Sequence, residues 1–432
     1  FNPLVPGATS GLAARPPDND FQQLSLTGNY RSASDVTLVG NIAVGKASQD
    51  ELLAAYTVNE LLPTVALPAS SADGRIDSTH LNGAAMLSGR LSRNLRYKAF
   101  YRKHERDNQT PARDWQPVVM DIFQDGTRRN TPFSFDKTEY GLNLRFRLKN
   151  AVRMSAGIER EDYQRDFQEV RETNENSYWV KLTAHSGDDA TITFNARRDY
   201  RDGSGYRPVS SLSPPQNPLL RKYNMADRDR SLLSATLSVN PTDSVSLSLL
   251  GEYANDDYPD SVIGLKESED RSVTLDASLQ PRTWLGIHAF LTRQSLEYSQ
   301  AGFANGPWAA TGEDRFITSG LNLDFRGDDS GRHLRINYTR TDSRGTSFID
   351  AGSGSQAFPD LSADLEVFSA AFTGVVRDKL RARISYQYER YHSRDWQIEG
   401  VTPTTIGNVL AFGEALPNYT QQIIWLGLVR DF

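Results

Sequence analysis

The 432-residue chain contains no cysteine. A disulfide, a thiolate metal site, an iron–sulfur cluster and a covalently attached c-type haem all require cysteine, so none of them can be built from this chain. The chain also contains no apolar run that approaches the ~18 residues of a membrane-spanning helix. These absences exclude an α-helical membrane protein and any redox group held through cysteine.

The chain also has fewer basic than acidic residues. The formal net charge is −6, from 48 Lys and Arg against 54 Asp and Glu, which disfavours general binding to nucleic acid. None of the six histidines lies in a His-Glu-x-x-His spacing, and the Gly-Ser segments at 203–205 and 352–355 lack the strand–turn–helix setting of a nucleophile elbow. The sequence therefore predicts no catalytic residue, no cofactor site and no strong metal site, and we expect a protein that is not an enzyme.

Two acidic segments, 256–260 and 328–329, are the remaining candidates for binding an ion. Their carboxylates are the oxygen ligands that Ca²⁺ accepts in loops. Solvated acidic turns are the simpler explanation of the same residues. Weak Ca²⁺ binding in the loops is therefore an option that the sequence leaves open.

Alternation of apolar and polar residues fills most of the chain. Apolar residues recur at every second position in pairs of runs such as 21–30 and 36–44, and the last run, 418–432, ends on Phe432. Period-two alternation predicts β-strands, and runs of about ten residues match a tilted crossing of a membrane. About seventeen such strands can be counted, and a terminal strand ending in Phe resembles the closing strand of bacterial outer-membrane barrels.

The connections between the runs are of two kinds. Within each pair the turn is short, as at 92–94, 149–150, 240–243 and 280–282. Between pairs lie long polar segments, at roughly 46–75, 105–136, 201–229, 299–312, 345–362 and 393–417. Short turns on one side and long loops on the other are typical of outer-membrane barrels, whose long loops lie outside the cell. The sequence thus predicts an all-β fold, a transmembrane antiparallel up-and-down β-barrel in the bacterial outer membrane, with residues 1–432 in a single domain.

The strand count predicts that this barrel is larger than the chain. If the C-terminus lies on the periplasmic side, the first strand runs inward from the outside, and residues 1–19 form an extracellular loop. Bacterial barrels made from one chain have an even number of strands, so we expect an odd number of strands to be missing at the N-terminus. Phe1, Asn2 and Pro3 do not begin a signal peptide, which indicates that a leader has been removed or that the start lies elsewhere.

The face opposite the apolar residues carries the charges and amides of the predicted lumen. We single out as candidate contacts to a partner Arg145, Arg147, Arg153, Glu159, Arg197, Arg335, Arg381 and Arg383. A hydrated pore wall whose charges neutralise one another is one interpretation of this face. The other is a surface complementary to a protein held inside, because arginine, asparagine and glutamine bind a partner without an apolar patch.

One loop has a distinctive sequence. Residues 217–230 read Asn-Pro-Leu-Leu-Arg-Lys-Tyr-Asn-Met-Ala-Asp-Arg-Asp-Arg. Together with Asn2-Pro3, the segment 16–21, the hairpin spacing and Phe432, this run resembles the MtrB/PioB family of outer-membrane barrels. The candidate residues of this loop motif are Lys222, Tyr223, Asn224, Asp227 and Arg228. They either brace the loop or form an ordinary entry into a strand with local salt bridges.

The resemblance implies a function in extracellular electron transfer. Members of the family are barrels of about 26 strands that sheathe decahaem cytochromes. By that resemblance, a periplasmic multihaem c-type cytochrome would occupy the lumen and pass electrons to an outer-surface multihaem cytochrome or a mineral, as in metal reduction. The barrel would contact outer-membrane lipid and no nucleic acid, and the haem would belong to the partner. A general diffusion porin or a substrate-specific porin remains the alternative.

Overall fold

The computed structural model describes residues 18–49, 53, 55–62, 67, 76–119, 122–149, 151–187, 189–208, 216–304, 306–327, 331–352, 354–377, 380–402, 405 and 418–430. All regular elements within these ranges are β-strands. No helix in the described part of the chain is long and apolar enough to cross a membrane. Residues 1–17 and Phe432, for which we predicted a loop and a strand end, lie outside the described residues.

Seventeen strands of 12 residues or more form one antiparallel sheet, as predicted. They are β1 (Asp20–Arg31), β2 (Thr37–Gln49), β3 (Ile76–Ser92), β4 (Leu95–Asn108), β9 (Phe135–Lys149), β10 (Val152–Arg165), β11 (Glu172–Ser186), β12 (Ala190–Gly203), β14 (Arg228–Thr242), β15 (Val245–Asp257), β16 (Ile263–Arg282), β17 (Leu285–Phe303), β18 (Pro307–Arg326), β19 (His333–Asp350), β21 (Leu361–Arg377), β22 (Leu380–Arg394) and β23 (Tyr419–Arg430). The short strands are β5 (Asp114–Trp115), β6 (Val118–Val119), β7 (Ile122–Phe123), β8 (Arg128–Arg129), β13 (Leu220–Arg221) and β20 (Ser355–Ala357).

Each long strand pairs with the long strand that precedes it and with the one that follows it. Leu26 pairs with Ile42 in the first hairpin, and Tyr388 pairs with Gln422 in the last. Within the described residues β1 pairs only with β2, and β23 pairs only with β22. The sheet is therefore an up-and-down meander with β1 and β23 at its two edges.

Two of the predicted short turns are part of strands. We predicted turns at 240–243 and 280–282, but β14 continues to Thr242 and β16 to Arg282, and the register shifts just before each end. Both segments contain a proline, Pro241 and Pro281. Proline has no N–H to give to the ladder, and a local irregularity accommodates it without ending the strand.

The prediction of long loops at 299–312 and 345–362 was wrong. β17 continues to Phe303, and β18 already begins at Pro307. β19 runs to Asp350 and pairs with the added strand β20. These segments are rich in glycine, alanine and serine and lack a regular alternation of apolar and polar residues, so they pair as strands without the pattern by which strands are recognised.

The two faces of the sheet differ sharply in polarity. The register places Leu142 beside Ile158 and Ile158 beside Tyr178, and all three side chains are exposed. Towards the long-loop end this face changes to paired polar groups, where the Tyr253 hydroxyl donates to Glu269 over 3.0 Å. An exposed apolar belt that ends in tyrosine and charge is the lipid-facing surface of an outer-membrane strand array. The opposite face is the polar one.

Candidate functional site

The polar face is continuous from strand to strand. The register aligns Arg96, Arg145, Ser155, Lys181 and Asn195 in one row across β4, β9, β10, β11 and β12. A second row across β11, β12 and β14 holds Thr183, Thr193 and Thr236. Because successive strand residues point to opposite faces, the predicted lumenal residues do share the face opposite the apolar belt.

Glu159 and Arg197 are joined in a hydrogen-bonded network on this face. The Arg197 guanidinium lies 3.2 Å from Glu159 and 2.7 Å from Asp199, and it also donates to the Ser177 hydroxyl over 2.8 Å. The Trp179 indole N–H donates to the other Glu159 oxygen over 3.0 Å. Charge-assisted bonds to both carboxylates fix the position of the guanidinium. Glu159 and Arg197 therefore bind each other within the chain.

The candidates on the later strands have different surroundings. Arg335 lies 3.5 Å from Asp324, which also contacts Arg326 at 2.8 Å and His333 at 3.0 Å. Arg383 lies over the Trp425 ring at 5.7 Å from its centroid. Arg381 pairs with Val375 and Val429 in the ladders. The structure places these arginines on two strands, β19 and β22, near the short-turn end, without uniting them in one cluster.

Arg145, Arg147 and Arg153 form the arginine-rich part of the polar face. Arg147 is directly opposite Arg153, and Arg145 is directly opposite Arg96. All of these side chains are exposed. No described carboxylate lies within salt-bridge distance of any of them, whereas Glu159 and Arg197 neutralise each other.

The loop motif contains two of the buried apolar residues of the described chain, Met225 and Ala226. Lys222 forms an ion pair with Glu169, whose residue is only 3% exposed. Burial works against ionisation, but the ammonium of Lys222 and the amide of Gln216 hold the pKa of Glu169 below its ordinary value. Met225 and Val170 are buried in the same region. Lys222 therefore braces the loop against the neighbouring connection between β10 and β11.

A side chain of β12 forms hydrogen bonds with the backbone of the loop. The guanidinium of Arg201 donates to the carbonyl oxygens of Tyr223 and Ala226, over 2.6 and 2.9 Å. The loop adds the two-residue strand β13, which pairs in parallel with the start of β16 through Leu220 and Ile263. The loop is thus anchored at its centre as well as at its ends.

Asp227 and Arg228 connect the motif to β14. Asp227 accepts the Gly203 backbone N–H over 2.6 Å. Burial and the neighbouring carboxyl of Asp260 raise the pKa of Asp227 to about 6. Arg228 lies 3.0 Å from Glu175 on β11. Both residues hold neighbouring elements together, which favours the bracing role for the motif.

Three motif residues lie on the surface, and one of them is Lys222. Tyr223 is 62% exposed and Asn224 is also exposed. Asn224 and Lys222 line a cleft of about 380 Å³ together with Arg128, Arg129 and Phe167. Lys222, Tyr223 and Asn224 are thus the exposed members of the motif.

The predicted acidic turns have other partners. The Asp256 carboxylate lies 3.7 Å from Arg228 and 3.6 Å from Arg230, and Asp260 adjoins Asp227. Residues 328–329 lie outside the described residues. The described part of the chain contains no group of three or more His, Asp or Glu residues placed to hold a metal ion.

Glu169, Arg201 and Trp179 were not among the predicted site residues. Glu169 is 53 residues before Lys222 in the sequence, and Arg201 is 22 residues before Tyr223. No local pattern links such positions. The pairing of β12 with β11 on one side and with β14 on the other sets the connections that carry these residues side by side.

Comparison with known proteins agrees with this architecture. The family described as "Putative outer membrane beta-barrel porin, MtrB/PioB" matches residues 4–430. The chain belongs to the MtrB/PioB family. This membership confirms the predicted resemblance, the outer-membrane location and the porin-like barrel class.

A curated relative of the MtrB/PioB chain is "Outer membrane protein MtrB" of Shewanella baltica (strain OS185), with 28% identity over 99% of this chain. The chain spans 61% of the length of that relative. Among solved structures, the ferric enterobactin receptor (PfeA) in complex with BCV-L6 matches 97% of this chain and 72% of its own, with a TM-score of 0.51 and 10% identity. A mutant of that receptor from Pseudomonas aeruginosa, in complex with enterobactin, matches the same shares with a TM-score of 0.50. At this identity the two structures support the outer-membrane barrel fold alone.

Proposed function

We propose that this chain is part of an outer-membrane sheath that holds a periplasmic multihaem c-type cytochrome in its lumen. Electrons pass along the haems of that cytochrome to an outer-surface multihaem cytochrome or a mineral. The observation that carries the proposal is a continuous charged and amide-bearing wall in a member of the MtrB/PioB family. Such a wall fits a hydrophilic protein surface through charge-assisted hydrogen bonds.

The barrel contributes insulation and position in this scheme. The apolar belt contacts lipid, while the polar wall separates the haems from hydrocarbon and fixes their depth. The chain has no cysteine to carry a haem of its own, and it catalyses no reaction. Binding of Ca²⁺ by the acidic loops stays a prediction.

Co-purification tests the proposal. The barrel, isolated in detergent from its native outer membrane, should carry c-type haem in constant ratio to the barrel through size-exclusion chromatography. Loss of all haem absorbance from an intact barrel would contradict it. A barrel recovered from cells that lack c-type cytochrome maturation is the control, because its lumen holds no haem protein.

A general or substrate-specific porin is the second candidate, and the rows of hydroxyl groups on the polar face favour it. Thr274 and Thr292, and Thr318 and Thr341, bond to each other across strands at 2.9 and 3.2 Å, as in a hydrated wall. Conductance in a planar bilayer separates the two functions. An open porin passes ions steadily, whereas a barrel that contains a cytochrome passes few.

A further inference from the structure

Six cations on the polar face form what we name the arginine sector, defined as Arg90, Arg96, Lys98, Arg145, Arg147 and Arg153. The register sets Arg90 directly opposite Arg96, Arg96 opposite Arg145, and Arg147 opposite Arg153. All six side chains are exposed. They lie at the short-turn ends of β3, β4, β9 and β10, which is the periplasmic end of an outer-membrane barrel.

This arrangement is unfavourable for the sector on its own. Like charges directly opposite each other destabilise a pair of strands, and the sector has three such pairs. Farther along the same strands, cations on this face are neutralised: Arg102 lies 3.3 Å from Glu139, and Lys137 lies 3.0 Å from Glu139 and 2.8 Å from Glu161. Within the described residues no salt bridge involves any of the six cations of the sector.

Hydration of a pore wall does not require these charges. On β11, β12 and β14 the same face carries Thr183, Thr193 and Thr236 in consecutive pairs. A cleft of about 460 Å³ lies among Arg90, Arg96, Lys98 and Arg145, and the single carboxylate in its lining, that of Asp35, is already paired with Arg31 at 3.1 Å. The four cations thus share this space with one carboxylate, which is bonded to a fifth cation, Arg31.

We propose that the arginine sector binds a patch of carboxylates on the surface of the protein held in the lumen, at the periplasmic end. This inference rests on the proposed function. Arginine pairs with carboxylates through two parallel hydrogen bonds. Strands are about 4.8 Å apart, so Arg90, Arg96 and Arg145 alone cover roughly 10 Å, which exceeds one small anion and fits several carboxylates on a folded surface. The partner that binds the arginine sector is an acidic protein surface. Lipid is not that partner, because lipid contacts the apolar belt on the opposite face of the sheet.

Zero-length cross-linking tests the carboxylate directly. A carbodiimide joins an amine to a carboxylate in contact with it, and Lys98 supplies an amine inside the sector. In the barrel complex isolated from its native membrane, we expect Lys98 joined to an Asp, a Glu or a haem propionate of a c-type cytochrome, identified by mass spectrometry. Arg145→Lys should add a second such link. If the complex retains haem but shows no cross-link from Lys98 or the new lysine to that cytochrome, the inference about the arginine sector is wrong and the proposed function stands.

Charge removal tests the contribution of the sector to binding. The triple variant Arg96→Gln, Arg145→Gln and Arg153→Gln should retain haem about tenfold less well than wild type during washing at moderate salt. The matching Arg→Lys triple should retain most of it. The control Arg271→Gln, Arg293→Gln and Arg340→Gln removes the same charge from the outward face and should behave as wild type.

The outcomes separate the two proposals. Absence of haem from the wild-type barrel overturns the proposed function and this inference with it. Wild-type haem retention by the folded Gln triple overturns the inference and leaves the proposed function intact. Loss of lipid phosphate from that triple, with haem unchanged, assigns the sector to lipid and also overturns the inference. If the Gln triple does not fold, as judged by heat-modifiable gel mobility, the Lys98 cross-link in wild type decides.

Discussion

Lys222, in the middle of the loop between β12 and β14, pairs with Glu169, which is buried in the connection between β10 and β11. Glu169 also accepts a hydrogen bond from Gln216 over 3.2 Å, and its own carbonyl oxygen accepts the Arg207 N–H over 2.8 Å. One carboxylate and its backbone therefore hold three points of a long surface loop. This relationship makes the loop part of the folded structure and gives it a stability that can be measured.

Glu169→Gln should release that loop. A neutral amide cannot balance Lys222, and the variant should lose about 1–2 kcal/mol of local stability, since Lys222 is half-exposed and recovers water. Hydrogen exchange at the amides of Arg207, Met225 and Ala226 measures the change. Arg31→Gln is the control, because its pair with Asp35 is exposed at both ends and should contribute little. Unchanged exchange in the Glu169 variant would contradict the bracing role.

Asp227 should make the same loop sensitive to pH. Its pKa in the folded protein is raised to about 6 from 3.8, so the folded state binds the proton more tightly than the unfolded state does. Its contribution to stability is thus largest at low pH and is lost as pH rises from about 4 to about 6. Asp227→Asn keeps an oxygen to accept the Gly203 N–H. Relative to this variant, wild type should be cleaved within residues 216–227 equally slowly at about pH 3.5 and faster at pH 7.5; the reverse order would refute the assignment.

Gly264 should be required for the short parallel strand β13. Its φ is +117°, and a Cβ there would stand 2.4 Å from the Arg221 carbonyl oxygen. Gly264→Ala should therefore cost about 1–3 kcal/mol and separate β13 from β16, which faster exchange of the Ile263 amide would report. Gly251→Ala is the matched control, because no atom lies within 4 Å of its Cβ position. Equal effects of the two substitutions would show that β13 is not held through Gly264.

Neighbouring residues of β14 test which face contacts lipid. Leu237 lies on the apolar face between Ile192 and Leu249, and Thr236 lies on the polar face between Thr193 and Leu250. Leu237→Arg should destabilise the inserted barrel by about 2–4 kcal/mol, the cost of arginine in the lipid-facing belt. Thr236→Arg should cost far less. Denaturant unfolding in lipid vesicles measures both, and a larger effect at Thr236 would invert the assignment of the faces.

Alternation in the sequence was sufficient to predict the sheet, because lipid imposes it on every crossing strand. At the strand ends 299–303 and 307–312, small residues and glycine interrupt the alternation, and the pairing could not be predicted. In the candidate site, too, the contacts between strands could not be predicted from the sequence. The arginines of the polar face were recognisable one by one, but only the register sets Arg90, Arg96 and Arg145 in one row. The bracing of the loop motif depends on Glu169 and Arg201, which are far from it in sequence.

β16, β17, β18 and β19 are 18–20 residues long, whereas a crossing needs about 9–11 residues. At a rise of about 3.3 Å per residue and a tilt of about 40°, these strands extend roughly 20 Å beyond the apolar band of the barrel. On this side of the barrel, a tall rim blocks sideways approach to the mouth. The shorter strands β10 to β15 leave a lower rim, and there the braced loop of Lys222 borders the mouth. Along the part of the rim that this chain forms, the loop of Lys222 is therefore the lower side, over which a large molecule reaches the mouth with least obstruction.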